Sequence, residues 1–129
     1  MSTSITRGAL SQAHCVSQNA TVDANAADIK RMTIVAYDVD GTVLYDPAKI
    51  PVGVVTSEGN VGDTISITKD NAVRPIKMAV AVSAGDPIGS DANGQGIIAG
   101  SGTYAIGVAQ EAGLAGSEVA VDIGKFLVA

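Results

Sequence analysis

From residue 29 onward the chain is a succession of short apolar runs, each stopped by Gly, Asp, Asn or Pro. Nowhere do apolar residues recur at i, i+3 and i+4 for the three turns of an average helix. Such punctuation predicts strands joined by tight turns. The runs cover residues 32–37, 42–45, 52–56, 64–68, 72–82, 96–99, 103–109, 118–123 and 125–128. Ile65 and Ile67 alternate with Thr64, Ser66 and Thr68, and Val119, Val121 and Ile123 alternate with Glu118, Ala120 and Asp122. Each of these strands therefore has one face turned inward. Residues 72–82 read as one strand or two, with Pro75 marking an edge or a bulge. Residues 110–114 are the best candidate for a single helical turn.

Composition agrees. Val and Ile together number 28, against 7 for Leu and Met. β-branched residues suit pleated strands and leucine suits helices, so the balance points to an all-β protein and away from a helical bundle. Strands at such short spacing favour a barrel or a sandwich. The length of 129 residues fits one domain, or one domain with an arm.

Residues 1–28 differ from the rest. They are rich in Ser, Thr, Asn, Gln and Ala, with Ile5, Leu10, Val16 and Val22 scattered among them and no sustained period. This segment reads as an extended arm, ordered by a partner if at all, ahead of a β domain over residues 29–129. Asn19-Ala20-Thr21 matches a glycosylation sequon, but the N-terminus lacks the apolar stretch of a secretory signal.

Charge and residue usage remove several function classes. A net charge of −5 argues against a nucleic-acid binder, and three Tyr with one Phe provide few stacking platforms. One cysteine, Cys15, allows no intrachain disulfide, and with His14 alone beside it no zinc site can be assembled. No apolar run approaches the ~20 residues that span a bilayer. The chain is therefore expected to be soluble, made in the cytoplasm, and without a cofactor. Only 16% of its residues are charged, below the usual share of about 25%, while 47% are hydrophobic, mostly small aliphatics. A thin core with spare apolar surface suggests burial between subunits.

An ungapped alignment of residues 51–75 with 105–129 pairs Gly53 with Gly107, Val54 with Val108, Gly59 with Gly113 and Gly62 with Gly116. Ile65 and Ile67 then fall on Val119 and Val121. Two readings stand: chance in a Gly- and Val-rich chain, or two similar hairpins in one barrel-like fold.

One segment has a catalytic look. The strand ending in Asp38-Val39-Asp40-Gly41-Thr42 resembles the first motif of haloacid-dehalogenase-type phosphatases. That resemblance would make Asp38 the nucleophile and Asp40 the general acid, with Mg²⁺ neutralising charge. Thr56, Lys69 or Lys77, and Gly85-Asp86 with Asp91 could fill the remaining motifs. The spacing argues against it. That family's parallel sheet needs a crossover of a dozen or more residues, usually helical, between strands. Residues 41–55 are all that separate Asp40 from Thr56, and Pro47, Pro51 and Gly53 interrupt them. An Asp-Gly hairpin turn explains the same residues with less.

Weaker features follow the same course. Gly94-Gln95-Gly96 and Gly100-Ser101-Gly102 have the look of phosphate-cradling loops, yet no helix pattern follows either. Asp38, Asp40 and Asp46 could ligate Ca²⁺, but their spacing is not that of an EF-hand loop. His14-Cys15 sits in the polar segment, where adjacent side chains seldom converge.

A second resemblance covers roughly residues 50–129. Ala84-Gly85-Asp86-Pro87-Ile88-Gly89, the Gly-rich stretch 91–102, Ala105-Ile106-Gly107-Val108-Ala109 and Gly116-Ser117-Glu118-Val119-Ala120-Val121 resemble the head-decoration, or capsid cement, proteins of tailed bacteriophages. Ile50-Pro51-Val52-Gly53-Val54 and Gly62-Asp63-Thr64-Ile65-Ser66-Ile67 repeat the pattern upstream. The resemblance implies a small β-barrel or β-tulip protomer with an N-terminal arm. It implies a homotrimer on the outer capsid surface that clamps the major capsid protein and performs no chemistry. Ser2, Thr3, Ile5, Arg7 and Leu10 would then be capsid-contact residues of the arm. A tail- or fibre-associated β module fits the same composition.

Overall fold

The computed structural model describes residues 16–23 and 28–129, and in it ten strands form two five-stranded antiparallel sheets. The first sheet contains β1 (Val16–Thr21), β2 (Ile34–Tyr37), β3 (Val43–Leu44), β4 (Pro51–Val55) and β5 (Thr64–Asp70), in the order β1-β5-β4-β2-β3. The second contains β6 (Ala72–Lys77), β7 (Pro87–Ser90), β8 (Gly96–Ile98), β9 (Tyr104–Ala109) and β10 (Glu118–Leu127), in the order β6-β10-β9-β7-β8. Among the described residues there is no helix. The all-β expectation holds.

The second order is the first with every strand advanced by five, and the register repeats too. Val54 and Val55 lie opposite Thr68 and Ile67, as Val108 and Ala109 lie opposite Asp122 and Val121. The Met32 N–H donates to Val55 O (2.9 Å), and the Gly85 N–H donates to Ala109 O (2.7 Å). Of the two readings of the alignment, the structural repeat is the one observed. It extends over the whole described chain.

Neither sheet closes into a barrel. The edges of each touch at a single parallel bridge, Val22 with Val43 and Met78 with Gly96. Closure would need a continuous hydrogen-bonded seam, and two- or three-residue edge strands such as β3 and β8 cannot supply one.

Three local differences from the sequence expectation have simple causes. Val16–Thr21, inside the segment read as an arm, is an edge strand paired with β5; its polar residues face solvent, so it carries no apolar period. Pro87–Ser90 is a strand whose Pro and Gly hid it. Residues 110–114 are not a helical turn, because Gly113 exchanges two backbone hydrogen bonds with Val82 (2.9 and 3.0 Å). Pro75 sits in β6, at the edge of its sheet, where a missing N–H removes nothing from the ladder.

Each half has its own core. Ala20, Val22, Ile29, Val35, Val43, Val52, Val55, Ile65 and Ile67 form the first. Ile76, Met78, Val82, Ile88, Ile106, Ala109, Val119, Val121 and Ile123 form the second, which also takes in Ile34 and Val54 from the first sheet. Those two residues point away from their own core and are each 1% exposed. Full burial of such a side chain is worth about 1.5–3 kcal/mol. The back of the first sheet is thus a floor for the second half.

Candidate functional site

The Asp-x-Asp-Gly-Thr segment forms the β2–β3 hairpin turn. The Asp38 N–H donates to Thr42 O (2.7 Å) and the Gly41 N–H to Asp38 O (3.0 Å), with Gly41 at φ +83°. Asp91-Ala92-Asn93-Gly94-Gln95 forms the matching turn of the second half. There the Asp91 N–H donates to Gln95 O (2.9 Å) and the Gly94 N–H to Asp91 O (3.1 Å), with Gly94 at φ +76°. The same turn with Asn and Gln in place of Asp40 and Thr42 shows what these residues do locally. They build a hairpin that needs a left-handed glycine.

The carboxylates of this turn are engaged. Asp38 Oδ1 accepts the Val39 N–H (2.8 Å) and pairs with Lys49 Nζ (3.3 Å). The Thr42 hydroxyl lies 2.6 Å from Asp40 Oδ1 and also contacts Asp23 Oδ2, so its single proton serves one carboxylate at a time. Asp23, Asp38 and Asp40 each bring a carboxylate oxygen within 4.8 Å of the others, and Asp23 is buried at 2% exposure. This trio is where a hard cation such as Ca²⁺ or Mg²⁺ could be held. Asp46, grouped with Asp38 and Asp40 from the sequence, instead accepts the Ala48 N–H (3.0 Å) and reaches Lys49 at 4.0 Å. Asp23 went unnoticed because it lies in the segment taken as an arm, far from the turn in sequence.

The residues that would complete a phosphatase site are dispersed. Thr56 donates from its hydroxyl to Ser66 O (3.1 Å) beside β4. Lys69 donates to Gln18 Oε1 (3.3 Å) at the other edge of the first sheet. Lys77 ends β6, Asp86 accepts the Ser83 N–H (2.8 Å), and Asp91 accepts from Asn93 and Gln95 (2.8 and 2.9 Å) in its own turn. The antiparallel sheets are not the parallel sheet that motif serves. Gly94-Gln95-Gly96 leads into β8, and Thr103 folds back on Gly100 through N–H and hydroxyl (3.1 and 2.6 Å). Neither loop precedes a helix. His14, Cys15 and the arm residues Ser2, Thr3, Ile5, Arg7 and Leu10 lie outside the described residues.

What the surface offers is apolar. Val39 at the first turn is 98% exposed, Leu114 is 75% exposed, and Ile50 and Leu127 are each 55% exposed. Across the back of the second sheet runs the row Val73, Asp122, Val108 and Pro87, of which Val73 and Asp122 are exposed. A cleft of 640 Å³ between the halves is lined by Arg31, Thr33, Tyr45, Lys77, Asn93 and Glu118 among others. Among the described residues that line it, no nucleophile is placed against a base.

No protein-family model matches the sequence, and comparison with curated proteins gives no match. A solved structure does. The fold is similar to that of the head fiber gp8.5 N base in bacteriophage phi29, with a TM-score of 0.66 over 85% of this chain and 94% of that one. Sequence identity is 19%, so the likeness is one of fold.

Proposed function

We propose that this chain is a structural protein of a tailed-phage virion: a decoration protein, bound as a homotrimer to the outer surface of the head, that stabilises the lattice of the major capsid protein without an enzymatic step. The observation that carries this reading is the fold likeness to a phage head fiber base, which spans 94% of that chain. The resemblance of residues 50–129 to head-decoration proteins points to the same class. Low charge and exposed apolar side chains suit a protein that buries surface against copies of itself and against a coat. Weak contacts repeated over a lattice add through avidity. On this reading residues 1–15, with Ser2, Thr3, Ile5, Arg7 and Leu10, supply the capsid-contact arm, with neither nucleic acid nor membrane as partner.

A second reading draws on the neighbour's being a fiber base: the chain would be a platform on the head that carries a further module. Both place it on the virion. The deciding experiment adds purified protein to expanded empty heads and to virions, and measures cosedimentation and the capsid melting temperature. Decoration predicts saturable binding and a raised melting temperature. Binding without stabilisation favours the platform, and failure to bind either particle overturns both.

A further inference from the structure

The repeat exposes a junction that the chain makes once internally and leaves open at both ends. In the first sheet, Ser17, Thr68, Val54 and Ile34 lie opposite one another in a row across the outer face. The second half covers Thr68, Val54 and Ile34 of this row. Ile34 and Val54 pack with Ile76, Met78 and Val121, and Arg74 Nε donates to Thr68 Oγ1 (3.1 Å). The second turn completes the cover: Gly94 O accepts the Ile34 N–H (2.8 Å), and a Cβ on Gly94 would lie 2.3 Å from Tyr45 Cε1. The cover comes from β6, β9, β10 and the 91–95 turn.

The repeat carries most of this junction to a second place. The row equivalent to Ser17, Thr68, Val54 and Ile34 is Val73, Asp122, Val108 and Pro87, and Ile98 stands at the position of Tyr45. Val54 is 1% exposed where Val108 is half-buried, and Ile98 is 47% exposed. The elements equivalent to β6 and the 91–95 turn are β1 and the 38–42 turn. Gly94 is buried, whereas Gly41 is exposed and a Cβ added to it would meet nothing within 4 Å. Ala20, Val22 and Ile67, the counterparts of Ile76, Met78 and Val121, are already buried in the first core, so what stands uncovered on the chain is the socket face and the 38–42 turn.

We infer that a second copy of this chain fills them head to tail, β1 and the 38–42 turn of one protomer seating on the Pro87, Val108 and Asp122 face of the next. This deepens the self-association in the proposed function, and rests on it. A head-to-tail contact closes into a ring when its rotation permits, and three protomers would present six equivalent units. One bond of the internal junction has no counterpart: Pro87 has no N–H to match that of Ile34, so contact there is apolar. The Asp-x-Asp-Gly-Thr turn thereby has a task that its chemistry did not reveal.

Two single-cysteine proteins test this, each made in full-length chain with Cys15→Ser: one Asp40→Cys, the other Ile98→Cys. Their internal counterparts, Asn93 and Tyr45, line one cleft. Under mild oxidation the mixture forms a disulfide-linked dimer, and neither protein does so alone. Self-linking of either one, or no link in the mixture, overturns the head-to-tail contact. In Ile98→Lys, with circular dichroism checking the fold, light scattering is expected to show loss of the oligomer; an unchanged mass overturns it as well. Head binding by the unaltered chain is scored separately. Binding without cross-linking sinks this contact and leaves decoration standing, while cross-linking without binding does the reverse.

Discussion

Met32 and Gly85 occupy the same position in the two halves, and both have a left-handed backbone, with φ of 62° and 91°. Each donates its N–H to the carbonyl at the end of the equivalent strand, Val55 or Ala109. The second half uses the residue that bears this conformation without a Cβ clash. The first half does not, and a left-handed L-residue costs roughly 1–2 kcal/mol.

Met32→Gly is therefore expected to leave stability unchanged or to raise it by up to about 1 kcal/mol, with lost side-chain contacts offsetting part of the relieved strain. Gly85→Met should cost roughly 1–2 kcal/mol. Urea denaturation of both variants checks the pair. A large loss in Met32→Gly alone would show that its side chain matters more than its backbone.

The two hairpin glycines should respond differently to alanine. Both have positive φ, but Gly41 is open while Gly94 lies against the Tyr45 ring. That ring cannot easily move, because its hydroxyl accepts the Lys30 N–H (2.8 Å) and lies 3.0 Å from Thr33 Oγ1. Gly41→Ala in dissociated protein should cost about 1 kcal/mol. Gly94→Ala should cost about 1–3 kcal/mol more, the usual range for overpacking. Equal melting temperatures would contradict this contact.

Ile34→Ala should loosen both halves together. Ile34 belongs to the first sheet but packs in the second core, and Ile→Ala substitutions in cores cost about 2–5 kcal/mol. Hydrogen exchange is expected to accelerate at Ile106 and Val121 as well as at Val54. Protection lost in the first half alone would mean that the halves unfold independently.

Truncation tests the proposed arm. If residues 1–15 are the capsid-contact arm proposed above, removing residues 2–15, which spares β1, should weaken head binding. Removing residues 2–21 strips β1 from β5 and with it buried Ala20, so the protein should be strongly destabilised. Binding that survives the shorter deletion would take the arm out of the contact.

Phosphatase assays with p-nitrophenyl phosphate and Mg²⁺ should give no hydrolysis that Asp38→Asn removes. The Lys49 pair that this variant weakens is partly exposed, so stability should change by less than about 1 kcal/mol. Activity lost in Asp38→Asn would reopen the catalytic reading.

Local physics was legible in residue order wherever alternation was clean. Thr64–Asp70 and Glu118–Leu127 announced themselves through Ile65, Ile67, Val119 and Val121, all buried. Two strands with few apolar side chains, β1 and β7, did not. β1 is polar apart from Ala20 among its described side chains, and β7 starts at Pro87. Asp23 joined Asp38 and Asp40 only through folding, because the Val22–Val43 bridge brings the end of β1 beside β3.

Residue order by itself determined the cleanly alternating strands and the Asp-Gly turn at 40–41, and it offered the repeat as one of two readings, since each depends on neighbours along the chain or on a pattern recurring within it. Two turns with one local geometry were given different fates by the tertiary structure alone. Gly94 is buried against Tyr45 and Gly41 is exposed, and nothing within either turn distinguishes them. The same holds for Val54 and Val108. Whether the back of a sheet is covered depends on what packs against it, and packing joins residues that no local preference connects.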